Sequence, residues 1–360
     1  MSTYFQTNTA RTRQQMLLED SLPPDQAGSI RTIDGLRDHL QTAIELEHST
    51  IPTYLTALYS IKDGSNTFAT QTILGVVIEE MLHMVQAANI LNAIGGSPAI
   101  NTRNFVPEYP TYLPHSNDAF LVPLQKFSKD TISIFLKIEQ PKKPLAPPEA
   151  DHYDTIGQFY AALRHGLTYL DYTTPGGIFT GDPSRQIGPE QYYGSGGKLI
   201  VIRSLADAKL AINEIVGQGE GMHGSIIDPD HAVFGQDIEY AHYFRFNEIM
   251  MERRYLPTDK PKDPPSGPDV AVDWDAVYNM APNPKMGNYP KDSQLWQKTY
   301  EFNKTYMALL TSIHNACNGQ PNLLMQAVPL MYDLKYKALE LMKMPLGNGQ
   351  TAGPSFEFVE

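Results

Sequence analysis

The chain has 360 residues, 41% of them hydrophobic, which is enough for one large domain or two smaller ones with a substantial core. A formal net charge of -12 with no cluster of Lys and Arg excludes a general nucleic-acid binder and a protein drawn to anionic membranes, since phosphate neutralisation needs clustered cations. The single cysteine, Cys317, excludes an intrachain disulfide framework and a thiolate metal site built within one chain, and fits a reducing, cytoplasmic compartment. Met1 to Asp20 does not resemble a secretory signal, and no run reads as long enough to span a bilayer.

Residues 1–30 read as a polar arm broken by Pro23-Pro24 and Gly28. The first strong helix starts near Thr32 or Asp34 and runs to Asp63-Gly64, with Leu36, Leu40, Ile44, Ile51, Leu55 and Leu58 on its buried stripe. Glu47 fills the vacant slot of that stripe, whereas Glu45 points away and His48 falls on the flank. Tyr54 returns to nearly the same direction as Glu47, where it could hydrogen-bond the site or simply pack. Pro52 should bend this helix just after Glu47.

A second helix runs from Asn66 or Thr67 to Ile94 and stops at Gly95-Gly96. Ile73, Val76, Ala87, Ile90 and Ile94 form one apolar stripe, and Glu80 and His83 sit in its middle. Burying both without partners would cost several kcal/mol, so something inside must compensate them. Glu79 points elsewhere, toward solvent or the back of the site. An antiparallel hairpin of the first two helices brings Glu47 and Glu80 to one level.

From Asn101 to Arg203 the pattern loosens into a long, proline-interrupted crossover. Ser128 to Glu139 alternates like a strand yet carries a helix cap, residues 155–170 read as a helix, and Gly176 to Gly197 is turn-rich, as a lid or a structural wrap would be. A third bundle helix starts at Ser204-Leu-Ala-Asp207 and continues through Ala208, Ile212 and Val216 to Glu220, with Glu214 off the stripe. The loop that follows holds His223, Asp228, Asp230 and His231, residues that usually serve turns and surfaces. In the fourth helix Glu239, His242, Phe246 and Ile249 share one face, and Glu239-Tyr-Ala-His242 repeats the spacing of Glu80-Met-Leu-His83. A proline-rich wrap follows Arg254. Two more helices, Leu295 to Asn315 and Asn322 to Met342, pack on the bundle, and the tail after Gly353 is non-helical.

The expected architecture is therefore mainly α. Residues 31–254 form a four-helix bundle with an insertion at 101–203 between helices 2 and 3, and residues 255–360 add the wrap and the extra C-terminal helices. A dinuclear carboxylate site in such a bundle takes a Glu-x-x-His from each of two helices and one inward Glu from each of the others. Glu47, Glu80, His83, Glu220, Glu239 and His242 supply that set. Tyr54 and His223 are candidates to hydrogen-bond it from behind. Arg164 and Arg245 are candidates for a substrate carboxylate, with a stabilising charge the preferred reading of both.

Glu45-Leu-Glu-His-Ser-Thr-Ile-Pro-Thr-Tyr-Leu55, Glu80-Met-Leu-His83, Gln218-Gly-Glu-Gly221, Glu239-Tyr-Ala-His-Tyr-Phe-Arg245 and Gly353-Pro-Ser-Phe-Glu357 resemble the ferritin-like domain of the iminophenyl-pyruvate dimer synthases, relatives of chromopyrrolic acid synthase. The resemblance covers nearly the whole chain past residue 30. It implies a ferritin-like fold and oxidative chemistry of the kind that couples two imines derived from indole pyruvate. Some such enzymes bind haem; this sequence consists essentially of the ferritin-like part and does not support haem. The oxygen-rich, thiolate-free ligand set suits two iron ions, with manganese as the alternative.

The leading expectation is a non-haem di-iron oxidase or oxygenase that uses dioxygen on a small, amino-acid-derived molecule in secondary metabolism. The alternatives are di-manganese catalase-like or ferroxidase activity, and a metal-free ferritin-like scaffold. The expected partners are a small molecule and dioxygen, not nucleic acid or membrane, with an oligomer open.

Overall fold

The computed structural model describes residues 30–143, 146–192, 196–221, 225–229 and 238–360. The chain starts its first helix at Thr32, whose hydroxyl accepts the Gly35 N–H at 3.1 Å, and α1 runs over Ile33–Ser60. A short connection returns α2, Thr67–Ala93, antiparallel along it, and this hairpin is the spine of the molecule. α2 is long and apolar enough to cross a bilayer by length and composition, a property the sequence reading missed. Most of its surface is buried within the protein, as a core helix requires.

Pro52 lies inside α1 without ending it. Proline withdraws a backbone donor and crowds the preceding turn, so nearby carbonyls need other partners. The Ser49 hydroxyl donates to the Leu46 carbonyl at 2.7 Å, and the Tyr109 hydroxyl, reaching in from the crossover, donates to the Ser49 carbonyl at 2.7 Å. Hydroxyls thus add to the backbone ladder next to the proline, where α1 passes the site.

The remaining helices are α3 (Lys129–Ile138), α4 (Ile156–Thr173), α5 (Leu205–Glu220), α6 (His242–Met251), α7 (Gln294–Cys317) and α8 (Leu324–Met342). The ambiguous segment at 128–139 is helical. Ser128 caps it through the Thr131 N–H at 3.2 Å, and Ile132, Phe135 and Ile138 turn inward with helical spacing. α5 begins with a reciprocal cap, in which Asp207 N–H reaches Ser204 Oγ at 3.3 Å and Arg203 N–H reaches Asp207 Oδ2 at 3.0 Å.

The far side of the bundle is made of half-length pairs. α3 packs on α6, with Tyr54 of α1, Phe135 and Phe246 forming an aromatic triangle whose ring centroids are 4.5, 5.2 and 5.1 Å apart. α4 packs on α5 beside the opposite half of α1, where Gly166 lets α4 approach Ile30 and Leu36 closely. α3 and α5 end, and α4 and α6 begin, at the level of Glu47 and Glu80. The crossover is therefore part of the bundle, since it supplies α3 and α4.

α7 and α8 pair with each other and lie against the spine. His48, expected on the flank, is buried between Phe105 and Tyr306, and its Nε2 shares a hydrogen bond with the Tyr306 hydroxyl at 2.7 Å. The 255–293 segment is largely irregular, tied down by isolated bridges such as Ile61 to Val277.

Two outcomes follow from this packing. Phe135→Ala, which empties the aromatic triangle, should cost about 3–5 kcal/mol in denaturant unfolding. Burial pushes the His48 imidazole down from 6.5 to about 3. An unfolded chain takes up that proton and the native one resists it, so the stability His48 contributes is complete above about 6.5 and is lost as pH falls toward 3. Urea midpoints measured from pH 7 to pH 4 should fall less steeply for His48→Gln than for the parent protein.

Candidate metal centre

Glu47 on α1 and Glu80 and His83 on α2 meet in the core, each at most 3% exposed. His83 Nδ1 lies 3.5 Å from Glu47 Oε2 and 3.9 Å from Glu80 Oε1. Facing it is His242, the first residue of α6, with its ring centroid 5.6 Å from that of His83 and the planes inclined by 24°. His242 Nδ1 lies 3.0 Å from Glu80 Oε1 and 3.3 Å from Glu139 Oε2. Two trios result, Glu47–Glu80–His83 and Glu80–Glu139–His242, each with ligand atoms close enough to hold one cation, and Glu80 belongs to both.

The outer nitrogens of the two imidazoles decide which way the inner ones face. Gln218 Nε2 donates to the Gly196 carbonyl at 3.0 Å, which turns its Oε1 toward His83 Nε2 at 2.7 Å. An amide oxygen only accepts, so His83 carries its proton on Nε2 and a neutral ring presents the Nδ1 lone pair to the carboxylates. His242 repeats this arrangement, because its Nε2 lies 2.8 Å from Glu79 Oε2. Although its Nδ1 lies near two carboxylate oxygens, that atom is buried without a hydrogen-bond partner. A lone pair aimed at carboxylates is repulsive unless a proton or a cation stands between them, so this donor set fits a metal.

The electrostatics agree. Burial, and then the neighbouring Glu139 and Glu47 carboxylates, push Glu80 up to about 8. Burial alone would lower both imidazoles, but Glu47 and Glu80 push His83 up to about 9, and Glu139, Glu79 and Glu80 push His242 well above the ordinary range. Burial works against ionised Glu47 too, and His83 outweighs it to hold that carboxyl below the ordinary range. The cluster carries more negative charge than its imidazoles offset, and it takes up protons where a cation would serve.

Known proteins place the fold. A family model described as Ferritin-like matches residues 40–251. This chain belongs to the ferritin-like family. Dichlorochromopyrrolate synthase of Lentzea aerocolonigenes is 25% identical over 330 residues, covering 80% of this chain and 30% of that relative, so the chain spans under a third of the relative's length. The crystal structure of a ferritin-like protein from Caulobacter vibrioides, 24% identical, superposes with a TM-score of 0.62 over 91% of this chain and 100% of that one. The relative's name agrees with the resemblance to chromopyrrolic acid synthases read from the motifs.

The ferritin-like cluster differs from the sequence reading at two carboxylates. Glu239 lies outside it, with its side chain 56% exposed and Oε2 3.6 Å from Arg245 Nη1. The helical register fails there because residues 239–241 are extended: Asp228 N–H reaches the Glu239 carbonyl at 2.9 Å and Ala241 N–H the Ile226 carbonyl at 3.0 Å. α6 starts only at His242, so Glu-x-x-His is not one helical turn.

Glu220, at the end of α5, instead accepts the Gly157 N–H at 2.8 Å, and burial pushes its carboxyl up to about 7. Glu139, which caps the C-terminal end of α3, is the carboxylate that groups with Glu80 and His242. Its signal was present, since Ile132, Phe135 and Glu139 share one helical stripe, but the strand-like alternation obscured it.

Other expectations meet specific partners. The Tyr54 hydroxyl donates to Glu139 Oε1, and the Tyr160 hydroxyl, not foreseen, donates to Glu47 Oε1. Glu79 is buried rather than solvent-facing, and Arg245 reaches both its oxygens, Nη1 to Oε1 at 2.9 Å. Burial would raise that carboxyl, but the Arg245 cation and the His242 hydrogen bond prevail and hold it at about 2. Arg245 is thereby committed to the framework, and Arg164 donates to Asn213 Oδ1 at 2.6 Å. Glu214, expected off the stripe, is buried and accepts the Lys198 N–H at 2.9 Å. His223, Asp230 and His231 lie outside the described residues.

Removing the cation behind this arrangement leaves the buried Glu79 with the His242 imidazole but without its guanidinium partner. Arg245→Leu should lose about 3–5 kcal/mol of stability in chemical denaturation, and adding Glu79→Gln should restore part of the loss.

Proposed function

We propose that this ferritin-like chain is a metal-dependent oxidoreductase that holds two iron ions and uses dioxygen to oxidise a small, amino-acid-derived molecule. The observation that carries the reading is the pair of imidazoles whose outer nitrogens are bound to Gln218 and Glu79, leaving both inner nitrogens aimed at carboxylates, of which Glu80 is common to the two. Glu47, Glu80 and His83 would hold one ion, and Glu80, Glu139 and His242 the other. This revises the expected set by taking Glu139 in place of Glu239 and Glu220. Carboxylate and imidazole donors without thiolate suit iron or manganese and are a poor match for structural zinc. Bound iron would supply the electrons that reduce dioxygen.

The protein residues fix and tune the site. Gln218 and the Glu79–Arg245 pair orient the imidazoles, so a bound ion would meet a set of ligands already aligned. Tyr160 and Tyr54 donate to Glu47 and Glu139 and temper their charge. Phe135 and Phe246, both buried, keep bulk water from the Glu139 side. Glu220 stands close enough to Glu139 to feel its charge and, with its carboxyl at about 7, can hold or release a proton near neutral pH. The dichlorochromopyrrolate synthase relative supports a small organic substrate, although this chain spans only 30% of that protein.

The test is elemental analysis of protein purified without a chelating tag, followed by anaerobic ferrous loading and exposure to oxygen with absorbance recorded. About two irons per chain and a transient visible band are expected. His242→Ala and Glu139→Ala should each lower the iron content while the far-ultraviolet circular dichroism stays helical. Full occupancy in either variant would overturn the ligand set, and two manganese ions with rapid peroxide breakdown would overturn the oxidase reading.

A further inference from the structure

A second group of metal-ligating side chains lies away from the central cluster. His39 is on α1, eight residues and about 12 Å of helix before Glu47. His115 comes from the crossover segment closed by the Thr111–Val122 bridge, and Asp151 from the segment leading into α4. His39 Nε2 and His115 Nδ1 lie 3.2 and 3.3 Å from the same oxygen, Asp151 Oδ1. The three ligand atoms all fall within 4.8 Å of one another.

The hydrogen bonding of His39 indicates what this trio can hold. Its Nδ1 lies 2.7 Å from the Gly35 carbonyl, an acceptor only, so that nitrogen carries the proton. A neutral His39 therefore points the lone pair of Nε2 at the Asp151 carboxylate. Spacing points the same way. Charge-assisted N–H to carboxylate bonds run at about 2.7–2.9 Å, shorter than either distance here. Bonds of about 2.0–2.2 Å to a tetrahedral ion place neighbouring ligand atoms about 3.3–3.5 Å apart, close to the observed separations.

The surroundings are already built. Ser116 bridges to Tyr153, the Tyr153 hydroxyl donates to the Pro114 carbonyl at 2.6 Å, and Asn117 Nδ2 donates to Asp154 Oδ1 at 2.5 Å. His115 and Asp151 are 46% and 47% exposed, which leaves the fourth position open to water, while His39 is 15% exposed with its ring against Phe159.

We propose that His39, His115 and Asp151 form a peripheral zinc site that clasps the crossover segment and the lead into α4 onto α1. Two imidazoles and one carboxylate suit zinc, in contrast to the carboxylate-rich centre. The clasp sits over Phe159, next to Tyr160, which donates to Glu47, so it braces a helix that the central cluster uses. It needs no metal in that cluster and stands or falls separately from the proposed oxidase.

The test is zinc titration of chelator-stripped full-length protein against a chromophoric competitor, comparing the parent with His115→Ala and Asp151→Asn. Both changes are at exposed positions, and any zinc taken by the central cluster is common to all three proteins and cancels in the difference. The parent should bind one more zinc per chain than either variant, and excess zinc should raise its melting temperature more than theirs. Cobalt substitution should give a visible d–d band in the parent that weakens in the variants. Equal zinc stoichiometry and equal thermal shifts in parent and variants would overturn the proposal.

Discussion

Burying Glu80 between His83 and His242 constrains the whole bundle. A carboxylate, two imidazoles and two further carboxylates in an apolar core demand partners from every direction, and no single helix pair can provide them. Helices consequently end there. α3 stops at Glu139, α5 stops at Glu220, α4 opens with the Gly157 N–H on Glu220, and α6 opens with His242. A continuous helix presents only side chains, whereas a broken one also presents backbone donors and allows the chain to enter at a new angle.

The outer hydrogen bonds follow from the same demand. Arg245 and His242 together keep Glu79 ionised in the interior, and Glu79 in turn fixes His242. Gln218 does for His83, through the Gly196 carbonyl, what the charged pair does for His242. One imidazole is therefore backed by a neutral amide and the other by an anion, so the two halves of the cluster differ in basicity although their inner ligands are alike.

Much of this was legible in the sequence wherever a residue sat in an uninterrupted helix. Glu47, Glu80 and His83 fill gaps in long apolar stripes, and periodicity alone places them together. His242 was found through a spacing that does not operate as supposed, because backbone pairing with Ile226 to Asp228 holds Glu239 to Ala241 extended. No periodicity records such a non-local ladder. Glu139 was missed because Ile132, Ile134, Leu136 and Ile138 satisfy two periods at once, and the Ser128 cap that decides between them is a local signal. Glu79 and Glu214 looked outward because a stripe marks only one buried face, and these helices are covered on more than one.

The connection between α1 and α2 is short, and it sets an order of events during synthesis. α2, apolar enough to pass for a membrane span, leaves the ribosome immediately after the helix that covers it, so its exposure is brief and its first contacts are local. Glu47, Glu80 and His83 can therefore converge while the crossover is still being made. His242 arrives far later along the chain, and until it docks Glu80 has only one imidazole beside it. A nascent chain caught at that stage would carry an assembled hairpin with a half-finished, negatively charged pocket.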